Sequence, residues 1–336
     1  MTAKANMNSL EEWLLDSDPA LKWQVERDLL CLPEEVWSAT RELTNATGFG
    51  ARLLELQDVD GQWAGGAYFP GRAEPRALTV ESEEKGQPYI ATTWTLNALR
   101  EWGVSAETLG DTADRLAANS RWEYDDLPYW GGEVDCCINA FTLCNGAWLG
   151  VNVAKNADWF LETQLADGGW NCDWVEGATK SSFHSTLNAL IGLLEYEQRM
   201  GADERITSAR KRAEEYLLAR QLMFKLSDGS EVGPWLRDLA YPFRWNYSVI
   251  RALNYFRDSA LFSGDKADAR LTAAAEFLAS KENEHGRWVT NDRIPGSVWF
   301  DVDSPVGEES KWLTFFALRA LTWWQAGYRE VLGWAR

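Results

Sequence analysis

Three segments of this chain end in the same way, and that recurrence constrains the fold more than any other feature of the sequence. Leu53–Trp63 (LLELQDVDGQW), Phe160–Trp170 (FLETQLADGGW) and Leu278–Trp288 (LASKENEHGRW) each pass from an apolar helical end into a turn of the form Asp/His-Gly-x-Trp. Gln57 and Gln164 both precede their tryptophan by six residues. The tryptophans lie 107 (170 − 63) and 118 (288 − 170) residues apart, about twice a period in the fifties. Degenerate copies fall between them, at Leu109–Tyr129 and Ala213–Asp228. A repeat of this length is one supersecondary pair that cannot bury its apolar face alone, so neighbouring copies must stack.

A longer and more apolar helix is expected after each turn, over Tyr89–Trp102, Ile138–Val151, Phe183–Met200, Tyr247–Ser259 and Trp312–Tyr328. The helices before the turns, such as Ala209–Gln221, carry apolar residues along one stripe only. Those after the turns are apolar on most faces, the pattern of burial. Alternation of the two kinds predicts an outer and an inner ring. Ser181, Ser182 and Asp135 are candidate helix caps. Leu10–Leu43, with a helix start at Pro33, supplies a sixth pair, and strand signals are nearly absent. The expectation is one all-α domain over residues 1–336, with residues 1–48 as an N-terminal helical pair and residues 49–330 as hairpin repeats.

Composition narrows the partners. With 33 basic and 51 acidic side chains the formal net charge is −18, which is repelled by phosphate backbones and anionic membrane surfaces. Nucleic acid is therefore not an expected partner. The first thirty residues lack a basic-then-apolar leader. Trp312–Gly327, the most apolar stretch, is broken by Arg319 and too short to span a bilayer. Five cysteines, an odd number, read as reduced thiols of a cytoplasmic protein, available to a metal or to catalysis.

Gln57…Gly61-Gln62-Trp63 and Gln164…Gly168-Gly169-Trp170 resemble the Gln-x-x-x-Gly-x-Trp repeats of squalene cyclases and protein prenyltransferase β-subunits. The resemblance extends by repeat spacing from about Leu53 to Tyr328, and it implies a single α/α toroid of about six helical hairpins. The third copy departs from the pattern, with Glu282 in place of Gln and His285 in place of Asp. Trp63, Trp170 and Trp288 are expected to be structural.

Asp135-Cys136-Cys137 and His184 form the one constellation of metal-ligand type. Carboxylate, thiolate and imidazole with an open fourth position make a catalytic zinc pattern rather than a closed structural one. The set is similar to the prenyltransferase β-subunit zinc site, in which Asp-x-Cys opens one inner helix and Phe-His-Thr the next; the matching residues here are Asp135, Cys137 and the His184 of Phe183-His184-Ser185. That resemblance implies a zinc ion that activates a thiol. Cys172 is a fourth candidate ligand, and its participation would turn the site into a closed Asp/Cys/Cys/His set. Without a metal, Asp135 is a helix cap, Cys137 a small buried residue and His184 a core histidine. Cys144 reads as core.

No diphosphate site accompanies the metal candidates. Diphosphate binding needs converging Arg and Lys, whereas Arg121–Cys137 carries one base against Glu123, Asp125, Asp126, Glu133 and Asp135. A cyclase acid is equally hard to find: Asp301-Val302-Asp303-Ser304 reads as a solvated turn. Asp173 and Tyr247 are the acid/base candidates. Trp94, Trp130, Trp245 and Trp312 fall near inner-helix starts and, with Asn139, are the candidate substrate contacts, lining a funnel for an apolar, isoprenoid-like molecule; their plainer role is packing. Two other functions remain open on these residues. One is a metal-free, carboxylate-driven cyclase, isomerase or carbohydrate-active enzyme, and the other a non-catalytic toroid with a structural zinc.

Overall fold

The computed structural model describes residues 10–71 and 86–325. They are mostly helical, and the strands among them are two residues each, Trp288–Val289 paired antiparallel with Glu309–Ser310. The chain divides into two compact units. One comprises Met1–Phe49, Leu217–Arg293 and Asp301–Arg336; the other comprises Gly50–Tyr216 and Ile294–Phe300. No described helix is long and apolar enough to cross a membrane.

In the second unit the central helices are Thr92–Glu101, Cys136–Trp148 and Phe183–Met200. All thirteen residues of Cys136–Trp148 are buried, as expected of a helix apolar on every face. Phe183–Met200 lies close against it, because Gly192 has no side chain: a Cβ there would stand 3.1 Å from the Ala140 backbone. Shorter helices, Thr112–Asn119 and Ala154–Thr163, alternate with these and bury only part of their surface. The charged helix Glu204–Leu218 begins in this unit. Its Arg210, 1% exposed, pairs with Glu197 at 2.7 Å and Glu214 at 2.8 Å, so a full charge sits in the interior only because two carboxylates surround it.

The first unit packs Val249–Ser263 and Lys311–Trp324 against each other, with Thr272–Ala279 beside them. Near its start, Pro19–Gln24 runs into a π turn at Val25–Leu29, followed by the solvent-facing helix Glu34–Glu42. The turn presents Asp28 to Arg319 at 3.1 Å, and Arg319 also reaches Asp258 at 3.0 Å and Asn254 at 2.7 Å. Burial alone would raise the Asp28 carboxyl. The guanidinium groups of Arg27, Arg319 and Arg257 outweigh that and hold it at about 2.

The three Gly-x-Trp segments share one set of bonds. Each indole N–H donates to the carbonyl ten residues earlier: Trp63 to Leu53 at 2.7 Å, Trp170 to Phe160 at 3.0 Å, Trp288 to Leu278 at 2.9 Å. Each tryptophan amide donates to a threonine hydroxyl in the next long helix, Thr92, Thr186 or Thr314. The turn glycines Gly61, Gly168 and Gly286 all have φ between +75° and +101°, where a Cβ is unfavourable. Gln57 and Gln164 brace their turns by donating to the carbonyls of Gly61 and Gly168. The carboxylate of Glu282 cannot donate in this way, yet its turn has the same backbone bond, Gly286 N–H to Asn283 O, as Gly61 has to Asp58.

Element boundaries differ from the periodicity at the ends only. The helices expected over Tyr89–Trp102, Ile138–Val151 and Tyr247–Ser259 run over Thr92–Glu101, Cys136–Trp148 and Val249–Ser263, while Phe183–Met200 is as expected. Side-chain caps mark the other starts, whereas Ala91 ahead of Thr92 makes no cap bond. Asp135 and Ser182 accept the first amides of their helices, and Ser248 and Ser310 do the same for theirs. Ser181 is instead held by Asp167. The helix expected over Trp312–Tyr328 is Lys311–Trp324, and Tyr328 lies outside the described residues.

Candidate metal centre

Asp135, Cys137 and Cys172 bring one oxygen and two sulfurs within 4.8 Å of one another. Two local structures deliver them. Asp135 is the N-cap of Cys136–Trp148, and its Oδ1 accepts from the amides of Cys137 at 2.7 Å and Ile138 at 3.1 Å. Capping fixes the carboxylate over the first turn, where the helix dipole favours an anion. Cys137 is the second residue of that turn, so its sulfur lies beside the carboxylate. Cys172 opens the 3-10 turn Cys172–Glu176 just after Trp170; the bonds that fix the tryptophan also fix where this turn begins. Its amide donates to Ser185 Oγ at 3.1 Å, and the Trp174 indole donates to the Val134 carbonyl at 2.9 Å.

The distances suit a tetrahedral ion. Cys137 Sγ and Cys172 Sγ are 3.4 Å apart, and Cys172 Sγ donates to Asp135 Oδ1 at 3.2 Å. Zinc bonds of about 2.3 Å to sulfur and 2.0–2.2 Å to oxygen give tetrahedron edges of about 3.8 Å and 3.5 Å. The two edges made by Cys172 are therefore a few tenths of an ångström short of coordinating lengths, and the third lies within 4.8 Å. Around the sulfurs, Asn188 Nδ2 donates to Cys137 at 3.2 Å and Ser185 Oγ to Cys172 at 3.2 Å, the kind of outer contact that orients metal ligands.

Electrostatics also favours a cation. The hydrogen bond with Cys172, burial, and the nearby Cys172 and Asp135 charges all push the Cys137 thiol well up. Burial first, and then Cys172 and Asp135, push Cys136 the same way. Burial and the charges on Asp135 and Cys137 raise Tyr68. Each anion in this group opposes the next, and a bound cation reverses the sign of all these interactions.

His184 occupies the first turn of Phe183–Met200 and is half-buried, but it is not one of the three residues that converge. Asp173 is exposed. Both polar atoms of Asn139 are taken by the Glu133 backbone, which closes the loop ahead of Asp135. Trp94 is 2% exposed, donates to the Tyr68 carbonyl, and packs against Tyr68, Tyr89 and Phe141 with ring centroids 4.8–5.3 Å apart. Trp130 is half-buried and donates to the Ala113 carbonyl. Cys144 is buried.

The remaining candidates belong to the first unit. The Tyr247 hydroxyl is buried and donates to the Leu222 carbonyl at 2.7 Å. Trp245 is half-buried. Trp312 stacks on Tyr241 at 4.4 Å and, with Asp303, Glu309 and Lys311, lines an open cavity of about 750 Å³. The solvated turn expected at Asp301–Ser304 holds for Asp301, which is exposed, but not for Asp303. Burial raises the Asp303 carboxyl to about 6, against the opposing bonds from Ser310 Oγ at 2.6 Å and the Ser304 amide.

Ser185, Asn188 and Trp174 are site residues that the sequence pattern did not single out. Asn188 carried a signal: it is a polar side chain inside an otherwise apolar helical run, 1% exposed, and such a group requires a bonded partner. Ser185 and Trp174 carried none. No protein-family model matches the chain, and no curated protein matches it.

Proposed function

We propose that this chain is a zinc-dependent enzyme that activates a thiol or a water molecule for reaction with an apolar, isoprenoid-like substrate, and that its helical pairs close into an α/α toroid. The observation that carries the proposal is the convergence of one carboxylate and two thiols within 4.8 Å, a donor set of zinc type. A zinc ion bound there supplies Lewis acidity, lowering the pKa of a thiol or water in the remaining position.

The chain's own residues provide the rest. Asp135, Cys137 and Cys172 hold the ion, with Asn188 and Ser185 steadying the two sulfurs. The buried group of Tyr68, Tyr89, Trp94 and Phe141 gives this region of the unit an apolar, aromatic character, which suits a hydrocarbon better than a sugar or a phosphate. The toroid reading rests on the recurring Gly-x-Trp bonds and on the resemblance they bear to cyclase and prenyltransferase repeats.

Metal analysis of protein purified without chelator should give about one zinc per chain. Cys137→Ser and Cys172→Ser should each lose it, and His184→Ala should keep it. A protein with no stoichiometric zinc overturns the proposal. Loss of zinc in His184→Ala would make the site a closed four-ligand one and remove the open position that catalysis needs.

A further inference from the structure

Beyond holding a metal, the two sulfurs are placed to react with each other. We propose that Cys137 and Cys172 form a site of oxidative modification, at which a peroxide closes a Cys137–Cys172 disulfide in the metal-free protein, and that disulfide and metal exclude one another. The part concerning metal rests on the zinc reading; the disulfide does not.

Exposure assigns the roles. Cys172 is half-exposed at the start of a short turn, whereas Cys137 is 5% exposed in the first turn of its helix. Oxidant from solvent therefore reaches Cys172 first. In the first step the Cys172 sulfur attacks the peroxide, the O–O bond breaks, and a sulfenic acid and one water result: Cys172–SH + HOOH → Cys172–SOH + H2O. In the second, Cys137 displaces the hydroxyl: Cys172–SOH + Cys137–SH → Cys172–S–S–Cys137 + H2O. Two thiols are oxidised and one peroxide is reduced. A sulfenic acid persists or over-oxidises where no second thiol is at hand and condenses where one is; here the second sulfur is 3.4 Å away.

The competing thiol is well placed to stay out. Cys136 neighbours Cys137 in sequence, but it is fully buried and its Sγ faces the Ser185 carbonyl at 3.5 Å. Metal opposes the reaction because it occupies both sulfurs. Oxidation in turn removes two of the three ligands, since a disulfide sulfur carries no thiolate charge.

The test uses the full chain with Cys31, the exposed cysteine, replaced by Ser. One sample is stripped with chelator and one loaded with zinc, and both are treated with dilute hydrogen peroxide. The stripped sample should lose about 2 Da in intact mass, the two hydrogens of a dithiol. Tryptic digestion should join the peptide ending at Lys155, which holds Cys136, Cys137 and Cys144, to the one ending at Lys180, and the join should persist in Cys136→Ser and in Cys144→Ser. The zinc-loaded sample should oxidise at least about tenfold more slowly, releasing zinc to a chromophoric chelator as it does. Sulfinic acid on Cys172 with no joined peptide overturns the proposal, as does a join that disappears in Cys136→Ser or in Cys144→Ser. If zinc never binds but the peptides join, the metal reading fails and the disulfide stands; if zinc binds and the peptides never join, only the present proposal fails.

Discussion

Two helix starts carry a carboxylate, and they use it in opposite ways. At Cys136–Trp148, Asp135 is the cap itself: it accepts from two amides and meets two thiols. At Lys311–Trp324 the cap is Ser310, whose hydroxyl accepts from the Leu313 amide and donates to Asp303. Asp303 is thus one bond removed from the helix, and burial raises it to about 6. One carboxylate faces the amides of a helix start and is placed to bind a cation. The other is held in surroundings that favour its protonated form. Burial is what raises Asp303, against the opposing bonds from Ser310 and the Ser304 amide.

The largest expected effect breaks the first half of this comparison. Asp135→Ala removes a cap, at a cost of about 1 kcal/mol to the metal-free protein. On the zinc reading proposed above it also removes a ligand, and should abolish a zinc-dependent stabilisation of about 4 kcal/mol when free zinc exceeds Kd a thousandfold. Thermal melts with and without zinc read both contributions. An Asp135→Ala protein that still melts higher with zinc would show that the carboxylate is not a ligand.

A smaller effect sharpens the second half. The folded carboxyl of Asp303 titrates at about 6 against an ordinary value of 3.8, so the folded state binds the proton more tightly. The resulting stabilisation is fully present below about pH 4 and is lost as pH rises through about 6. The whole shift corresponds to about 3 kcal/mol; with solvent still reaching this half-buried group, about 1–2 kcal/mol is expected. Asp303→Asn should lack that loss, so wild type minus variant, from urea midpoints between pH 4 and 7, should fall with rising pH. A flat difference would sink the idea. Asp28 and Glu309, both held at about 2, lose their contributions as pH falls through their ordinary values of 3.8 and 4.5 and toward 2, and both cancel in this difference.

The smallest effect separates cap from carboxylate. Ser310→Ala should cost about 1 kcal/mol and should raise the Asp303 carboxyl further, because it removes a bond that lowers it. The pH step of the wild-type protein should therefore move upward in Ser310→Ala and vanish in Asp303→Asn. An unmoved step would show that Ser310 acts on its helix alone.

The contrast also explains what was legible in the sequence. Helical content, the turn glycines and the three tryptophans were readable because each depends on bonds within about a dozen residues or on period. Cys136–Trp148 and Phe183–Met200 followed from their largely apolar sequences. Asp135 and Cys137 were readable because a capped first turn fixes both. Asp303 was not: Asp301 and Asp303 are two residues apart in one polar loop, and only the Ser310 hydroxyl and the surrounding burial distinguish them. His184 is expected to converge because it opens a neighbouring helix, yet the backbone places Ser185, one residue on, against Cys172. A helix start specifies level, and a single residue of rotation about the axis changes which side chain meets the site.

The Trp174 indole, bonded to the carbonyl of Val134, has a consequence for how tightly any ion is held. It ties the turn carrying Cys172 to the residue just before Asp135, so the two segments of chain that supply the donors are clasped by a bond made within the protein alone. Binding then needs little further ordering of the backbone, which is the condition under which a chelating pocket selects by ion size and geometry rather than by how far it must fold around its guest.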